Sequence, residues 1–407
     1  MEANSAVRAG LDELTVVIPT YNRTEHLARL LSYYASQDAP ISFLVLDSGA
    51  PESVVSNRQR VEASGARFRH VVFPSSVPVA TKLAEGLKLV ATPYCAFCAD
   101  DDLVFVEGLS AALGYLRSHP DHVCADGIYL NYRLRPGNDV QLQIEYASHG
   151  IEAAHPAARV FRLFQRYESL FYGVFRTTDL ATLFAGVCRI PTLHYQELFQ
   201  ATAALLLGKS HRLPVFYAAR QHGDPADPTR DKWQTYYWYA DDRAEFFDHY
   251  CAYRNELWQF YRTHTPAPHL PEEAFVKSMD FSHTMFFGLG CPPAYLYSVL
   301  KDHWPDDTFE NLQRQQNDIF QAFKPPARRW WEGRVKALTE WLQEKTAAVD
   351  RATGVNSLNR EIHRRSRTPW NCWILLPELQ WLSNVAEFRG AYTQLCDYLD
   401  HPRGDLR

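Results

Sequence analysis

Three consecutive carboxylates, Asp100, Asp101 and Asp102, follow the apolar run 94–98 and are succeeded at once by Leu103, Val104 and Phe105. Neighbouring carboxylates some 5–6 Å apart repel by roughly 1 kcal/mol in water and about 3 kcal/mol at an effective dielectric of 20. A divalent cation reverses the sign of that cost, and hard oxygen ligands suit Mg²⁺ or Mn²⁺. A bare acid triplet reads most simply as a solvated turn, but apolar residues on both sides favour a site for a metal and phosphate. In an extended chain alternate side chains share a face, which predicts that Asp100 and Asp102 point together while Asp101 turns away.

Such a group needs elements to hold it. Residues 15–19, "TVVIP", are β-branched and closed by a proline, and read as a first strand. After the turn "TYNR", a helical pattern begins at Thr24 as N-cap. A second strand, "ISFLVLD", ends in Asp47. A helix over 53–64, a strand "FRHVVFP" and a helix over 79–90 then lead to the 94–98 strand. This alternation predicts a mostly parallel α/β sheet, whose ligands bind at the carboxyl ends of the strands, where Asp47 and the acid triplet fall. Further strands are expected in "VCADGIYLNYRL", "FYGVFRT" and "RLPVFYAARQHG", with helices in "VEGLSAALGYLRSHP", "PAARVFRLFQRYESL", "TDLATLFAG" and "HYQELFQATAALLLG". From residue 224 the loop "DPADPTRDKW" marks a hinge, and everything beyond reads helical, with Phe246, Phe247, Tyr250, Tyr253, Leu257 and Phe260 at helical spacing. The expected division is 1–225, an α/β domain, and 226–407, a helical one with a role in acceptor binding, membrane-surface contact or oligomerisation.

Composition narrows the function classes. A hydrophobic content of 46% and an aromatic content of 14% indicate packed cores and exclude a disordered chain. A net charge of −5 gives no electrostatic case for nucleic acid. The eight cysteines are scattered, and Cys95 and Cys98 have no second pair at zinc spacing, so they read as reduced core residues of a cytoplasmic protein. The N-terminus lacks the apolar stretch of a signal peptide, and the most apolar segment, from Met285, is broken by Gly288, Gly290, Pro292 and Pro293.

The motifs "TVVIPTYNRTEHLARLLSYY", "FLVLDSG" and "TPYCAFCADDDLVF", in this order, resemble the nucleotide-sugar half of GT-A glycosyltransferases of the family-2 type. Two departures, "DSGAPES" for the commoner "DDGSxD" and "TKLAEGL" in place of "R-N-x-G", point to a divergent bacterial branch. The resemblance implies a Rossmann-like GT-A domain that binds a nucleotide-diphosphate sugar, a UDP-sugar by preference, with one Mn²⁺ or Mg²⁺. It implies that Pro19, Thr20 and Tyr21 line the nucleobase pocket with Arg23 nearby, and that Asp47 accepts a base N–H. Lys82 would reach the diphosphate. Asp100 would contact ribose or metal, and Asp102 would bind the metal directly, with Asp101 counted among the donor-binding residues only. His222, leaving the last strand, would be a further metal ligand. Each has a plainer reading: Thr20 and Asn22 as helix caps, Asp47 as turn chemistry, Lys82 on a solvated helix face, and His222 as an ordinary loop histidine.

An inverting transferase needs a base for the acceptor hydroxyl, and the resemblance places it at Glu197 in "HYQELFQATAALLLGK", where Gln196 replaces the usual first acid. A carboxylate near a helix N-terminus also has a purely structural use. The acceptor, whether glycan, lipid-linked or small molecule, is not written in any motif. The aromatics Tyr236, Tyr237, Trp238 and Tyr239 suit sugar stacking or interdomain packing. The basic, Trp-bearing stretches "PPARRWWEGRVK" and "HRRSRTPW" suit peripheral contact with the inner face of a membrane or a solvated basic face. The expected function is metal-dependent, inverting sugar transfer in surface polysaccharide or glycoconjugate synthesis. Two rivals remain: a sugar-1-phosphate nucleotidyltransferase, which would need a glycine-rich loop that "PTYNRTEH" lacks, and a glycan- or partner-binding protein on the same scaffold. A homo-oligomer is also open.

Overall fold

Alternating β-branched and aliphatic residues give the first strand, β1 (Leu14–Thr20), which is buried along nearly its whole length. In the computed structural model, which describes residues 10–135, 139–145, 150–165, 167–222, 243–290, 371–374 and 385–401, this strand lies at the centre of a mixed sheet. In chain order it is followed by α1 (Thr24–Ser36), β2 (Ser42–Asp47), α2 (Pro51–Ala63), β3 (Phe68–Val72), α3 (Val79–Leu87) and β4 (Tyr94–Phe97). Next come β5 (Leu103–Val104), α4 (Val106–Ser118), β6 (His122–Arg135), β7 (Asp139–Glu145), α5 (Pro156–Gln165), β8 (Val174–Arg176), α6 (Thr177–Val187), α7 (Leu193–Leu207) and β9 (Lys209–Gln221). The described part of the remainder holds α8 (Arg243–His264), α9 (Glu272–Gly290), β10 (Asn371–Ile374) and α10 (Val385–Asp400).

The sheet runs β10-β7-β6-β8-β4-β1-β2-β3, with β9 paired to both β6 and β5. Strands β1 to β4 are mutually parallel, as the strand–helix alternation predicts, whereas β8 runs antiparallel to both β4 and β6. Because two reversals cancel, β6 and its parallel neighbour β9 end at the same edge as β1, β2 and β4. That shared edge is where the acids collect.

Beyond residue 242 the described elements are helical except β10. This strand pairs in parallel with β7 and covers an edge that would otherwise expose unpaired backbone groups. Tyr250, Tyr253, Leu257 and Phe260 of α8 are buried: Tyr253 stacks on Tyr195 of α7 at 5.1 Å between centroids, and its hydroxyl lies 3.0 Å from Thr202 Oγ1. Tyr398 of α10 packs edge-on to Tyr33 of α1. The aromatic stretch 236–239 and the basic, Trp-bearing stretches fall outside the described residues. No described helix is long and apolar enough to cross a membrane.

Candidate active site

The chain leaves β4 through a turn over residues 99–102, closed by the Asp102 N–H donating to the Ala99 carbonyl at 3.2 Å. A turn has no pleat, so the expected alternation fails. Asp101 is not turned away from its neighbour but shares Arg23 with it, the guanidinium Nη1 lying 3.4 Å from Asp100 Oδ1 and 2.6 Å from Asp101 Oδ2. Asp100 also accepts the Thr20 hydroxyl at 2.7 Å, so it faces the end of β1. Asp102 faces the other side. Its Oδ1 accepts the Gln221 N–H at 2.7 Å, its Oδ2 accepts the Tyr172 hydroxyl, and the Arg220 guanidinium stands 3.8 Å from Oδ2.

Asp100 and Asp102 are nearly inaccessible, and burial, reinforced by the charge of Asp101, pushes both carboxyls up to about 7. Arg23 and Arg220 offset part of that charge, but both are partly exposed, with side chains 23% and 33% accessible, so water screens them. Carboxylate oxygens with incomplete positive compensation are the ligand type of Mg²⁺ or Mn²⁺, although Asp100 and Asp102 face different sides of the turn.

The β1–α1 turn is held by its polar side chains, though not as helix caps. Asn22 takes a left-handed φ of 55°, and its Oδ1 accepts the Ala50 N–H at 2.7 Å, tying this turn to the one after β2. Tyr21 is 54% exposed beside it. Pro19 sits at intermediate exposure and Thr20 is buried.

Two residues expected to contact the donor are buried and bonded within the protein. Asp47 is fully buried: Oδ1 accepts the Gly49 N–H at 2.8 Å, and Oδ2 lies 2.8 Å from Asn57 Nδ2 and 3.1 Å from His70 Nε2. Burial opposes its ionisation, yet the bonds from His70, Asn57 and Gly49 outweigh that and hold its carboxyl below the ordinary range. It has no solvent-facing oxygen for a base N–H, and instead shapes the 48–50 loop. Lys82 is buried as well, donating to the Thr20 carbonyl at 2.9 Å and to Ser48 Oγ at 2.8 Å. That excludes a solvated helix face and leaves no solvent-facing amine for a diphosphate. The ammonium braces the ends of β1 and β2.

Glu197, in the second turn of α7, is only partly exposed, and the Tyr167 hydroxyl donates to its Oε1 at 3.2 Å. Burial raises its carboxyl, opposed first by the charge of Arg220 and then by hydrogen bonds from Tyr167 and Ser169. Arg220 stands beside Asp102, its charge acts on Glu197 as well, and its guanidinium lies 5.5 Å from the centre of the Tyr172 ring. His222 follows as an exposed residue whose N–H donates to the Tyr132 carbonyl at 2.8 Å. The adjacent Gln221 N–H is the one bonded to Asp102.

Sequence reasoning missed Arg220, Tyr172, Tyr167, Tyr132 and His70. Arg220 lies within the quoted strand "RLPVFYAARQHG", and its place at the strand end, two residues before His222, was the available signal. The tyrosines carry none, because they sit in strands and coil whose pairing is non-local.

Residues 15–168 match the family model described as glycosyl transferase family 2. Curated proteins give no match. Among solved structures, the chain is similar in fold to Staphylococcus aureus TarS 1–349, at 15% identity over 75% of this chain and 91% of that one, with a TM-score of 0.38. TarS 1–349 in complex with UDP-GlcNAc is similar at 14% identity over 71% and 91%, with a TM-score of 0.37. The mannosyltransferase PcManGT from Pyrobaculum calidifontis, in complex with GDP-Man and Mn²⁺, is similar at 13% identity over 78% and 82%, with a TM-score of 0.41.

Proposed function

We propose, on the match of residues 15–168 to the glycosyl transferase family 2 model, that this glycosyltransferase moves a sugar from a nucleotide-diphosphate donor, UDP-linked by preference, to an acceptor hydroxyl with inversion. The observation that supports the reading is the buried Asp102 at the mouth of the sheet, held by the Gln221 N–H and by Arg220 at 3.8 Å, with the charge of Arg220 also acting on Glu197. A Mg²⁺ or Mn²⁺ held by Asp102, with Asp100 and His222, would supply Lewis-acid stabilisation of the departing diphosphate.

The chain's own residues supply the rest. Tyr21, exposed beside Pro19 and Thr20, lines the base pocket, and Arg23 orients Asp100 and Asp101 toward ribose and phosphate. Asp47 and Lys82 act as positioning residues behind the loops. Glu197 takes the proton from the attacking hydroxyl, its raised pKa suiting a base that must hold a proton once it has it. Tyr167 fixes the carboxylate's orientation, and the charge of Arg220 offsets part of the effect of burial on it. The acceptor is a glycan, a lipid-linked sugar or a small molecule in surface polysaccharide or glycoconjugate synthesis.

The test is a thermal-shift screen of nucleoside diphosphates with and without Mn²⁺. Ligand-linked stabilisation amounts to about 2.7 kcal/mol at a hundredfold excess over Kd. The expected result is a Mn²⁺-dependent shift, largest with a uridine nucleotide. Absence of such a shift with every nucleotide would sink the proposal.

A further inference from the structure

The opposite edge of the sheet carries a second constellation that the transfer reaction does not use. His122 opens β6 and His211 lies near the start of β9, two strands that run in parallel side by side. Glu152 joins them from the segment before α5. That segment is docked on β9 by the Ile151–Ser210 bridge, where Ser210 N donates to the Ile151 carbonyl at 3.1 Å and Ile151 N to Ser210 Oγ at 3.3 Å. The fit is close: a Cβ on Gly150 would stand 2.4 Å from the Ser210 carbonyl oxygen. Three separate segments thus deliver one donor atom each, all within 4.8 Å of one another.

The surroundings are those of a prepared ligand set. His122 is buried, and its Nδ1 lies 2.9 Å from Asp121 Oδ1, which leaves Nε2 facing Glu152 Oε1 at 3.9 Å. Asp121 is itself fixed by Lys209 Nζ at 2.6 Å. A carboxylate on one imidazole nitrogen sets the tautomer and strengthens the other nitrogen as a ligand. His211 is pinned in orientation by stacking on Tyr115 at 3.9 Å, while the opposite face of that ring stacks on His119 at 3.8 Å. The Tyr115 hydroxyl stands 3.3 Å from His122 Nε2. The His211 Nδ1–Glu152 Oε1 contact is 2.5 Å. Ligands about 2.0–2.1 Å from a tetrahedral Zn²⁺ are about 3.3 Å apart, so the 3.9 Å and 2.5 Å separations need only sub-ångström adjustment. Glu152 and His211 side chains are 47% and 26% accessible, which gives an ion a way in.

We propose that His122, His211 and Glu152 form a second metal site, selective for a borderline ion such as Zn²⁺, that ties the starts of β6 and β9 to the segment before α5. Two imidazoles and one carboxylate suit Zn²⁺, whereas the all-oxygen triplet suits Mg²⁺ or Mn²⁺. The ten residues from His211 to Gln221 put the two sites roughly 30 Å apart at the usual strand rise. The site is therefore a structural staple, and its occupancy is independent of the donor reading.

The experiment uses the full chain without a histidine tag, stripped with chelator and free of nucleotide. Zn²⁺ is titrated by equilibrium dialysis with metal analysis, and Co²⁺ by visible absorption. Wild type and Asp102→Asn are expected to retain one Zn²⁺ per chain and to give the same Co²⁺ spectrum. His211→Ala and Glu152→Gln change accessible side chains, and are expected to lose affinity by more than the roughly 10–100-fold that removal of a ligand's hydrogen-bonding carboxylate costs, with Asp121→Asn inside that range. Circular dichroism confirms that each variant is folded. The proposal is overturned if wild type retains no Zn²⁺. It is equally overturned if His211→Ala and Glu152→Gln bind as tightly as wild type, which would place the metal at other residues.

Discussion

Asp126 and Glu168 share one buried arginine, whereas Asp100, Asp101 and Asp102 are divided between two half-exposed ones. Arg212 donates from Nε to Asp126 Oδ1 at 3.0 Å, from Nη2 to Asp126 Oδ2 at 2.9 Å, and from Nη1 to Glu168. Its side chain is 6% accessible, so solvent and salt screen its charge much less. Asp126 is thus held bidentately in the interior, and its job is to fix the chain. Across the sheet, Asp100 and Asp102 keep carboxyls raised to about 7 because burial is not matched by their cations. The difference teaches where to look for a ligand: at acids left under-compensated at the mouth of a sheet, and not at acids as such.

The two clusters are also connected. Glu168 lies between Tyr167 and Ser169, the two groups that hydrogen-bond Glu197, and the same coil reaches Asp102 through Tyr172. The structural cluster therefore buttresses the candidate catalytic one. The sharpest way to test that division is through Glu197. Glu197→Gln keeps the size and the Tyr167 contact but removes the base, and should lower kcat by about 10²–10⁴-fold with donor affinity unchanged. A variant with near wild-type turnover would move the base elsewhere.

Arg212→Met probes the structural side. It strands Asp126 and Glu168 in the interior, and should cost about 3–5 kcal/mol in urea unfolding, the range for breaking one partner of a buried pair. If the loss is below 1.4 kcal/mol, a tenfold change in the folding constant, the contrast between the clusters fails. Asp102→Asn should reverse this pattern, lowering transfer by about 10²–10³-fold, as loss of a preorganised electrostatic group does, without destabilising the fold at pH 8.

The pH dependence follows in sign. Folded Asp100 and Asp102 have pKa values of about 7, above the ordinary 3.8, so the folded state holds their protons more tightly than the unfolded chain. Their contribution to stability is greatest below the ordinary value and declines as pH rises towards 7. The Tm of Asp102→Asn relative to wild type should therefore rise between pH 4 and pH 8 in the absence of metal, while wild-type kcat/KM falls on acidification below about pH 7 as the ligands protonate. A flat Tm difference across that interval would show that Asp102 is ionised throughout. The smallest effect is expected at Arg23, where Arg23→Ala should change stability by less than about 1 kcal/mol, as at exposed ion pairs, while weakening donor binding in titration calorimetry. Should it destabilise as much as Arg212→Met, the triplet is a structural cluster after all.

Much of this was readable from local signals. The β-branched runs of β1 and β2, the apolar run of β4 and the acids behind it carry their period and their boundary in a few residues. So does Glu197 on its helix. The polarity of the sheet's second half was not readable, because the reversal at β8 depends on which strands pair and not on the composition of any of them. Burial was equally silent. Lys82 and Asp47 look like surface chemistry in the sequence, and only packing shows that one braces two strand ends and the other organises a loop.

The sequence by itself determined that a strand–helix alternation ends in a cluster of acids, and which residue types stand at the strand ends. The tertiary structure alone decided their partners. Gln221 is 119 residues from Asp102 and Tyr172 is 70 away, yet both donate to its carboxylate. Arg220 likewise reaches the site only because β9 lies beside β6 and β5. Hydrogen bonds and charges act over a few ångströms in space, and separation along the chain contains no information about that distance until the sheet has formed.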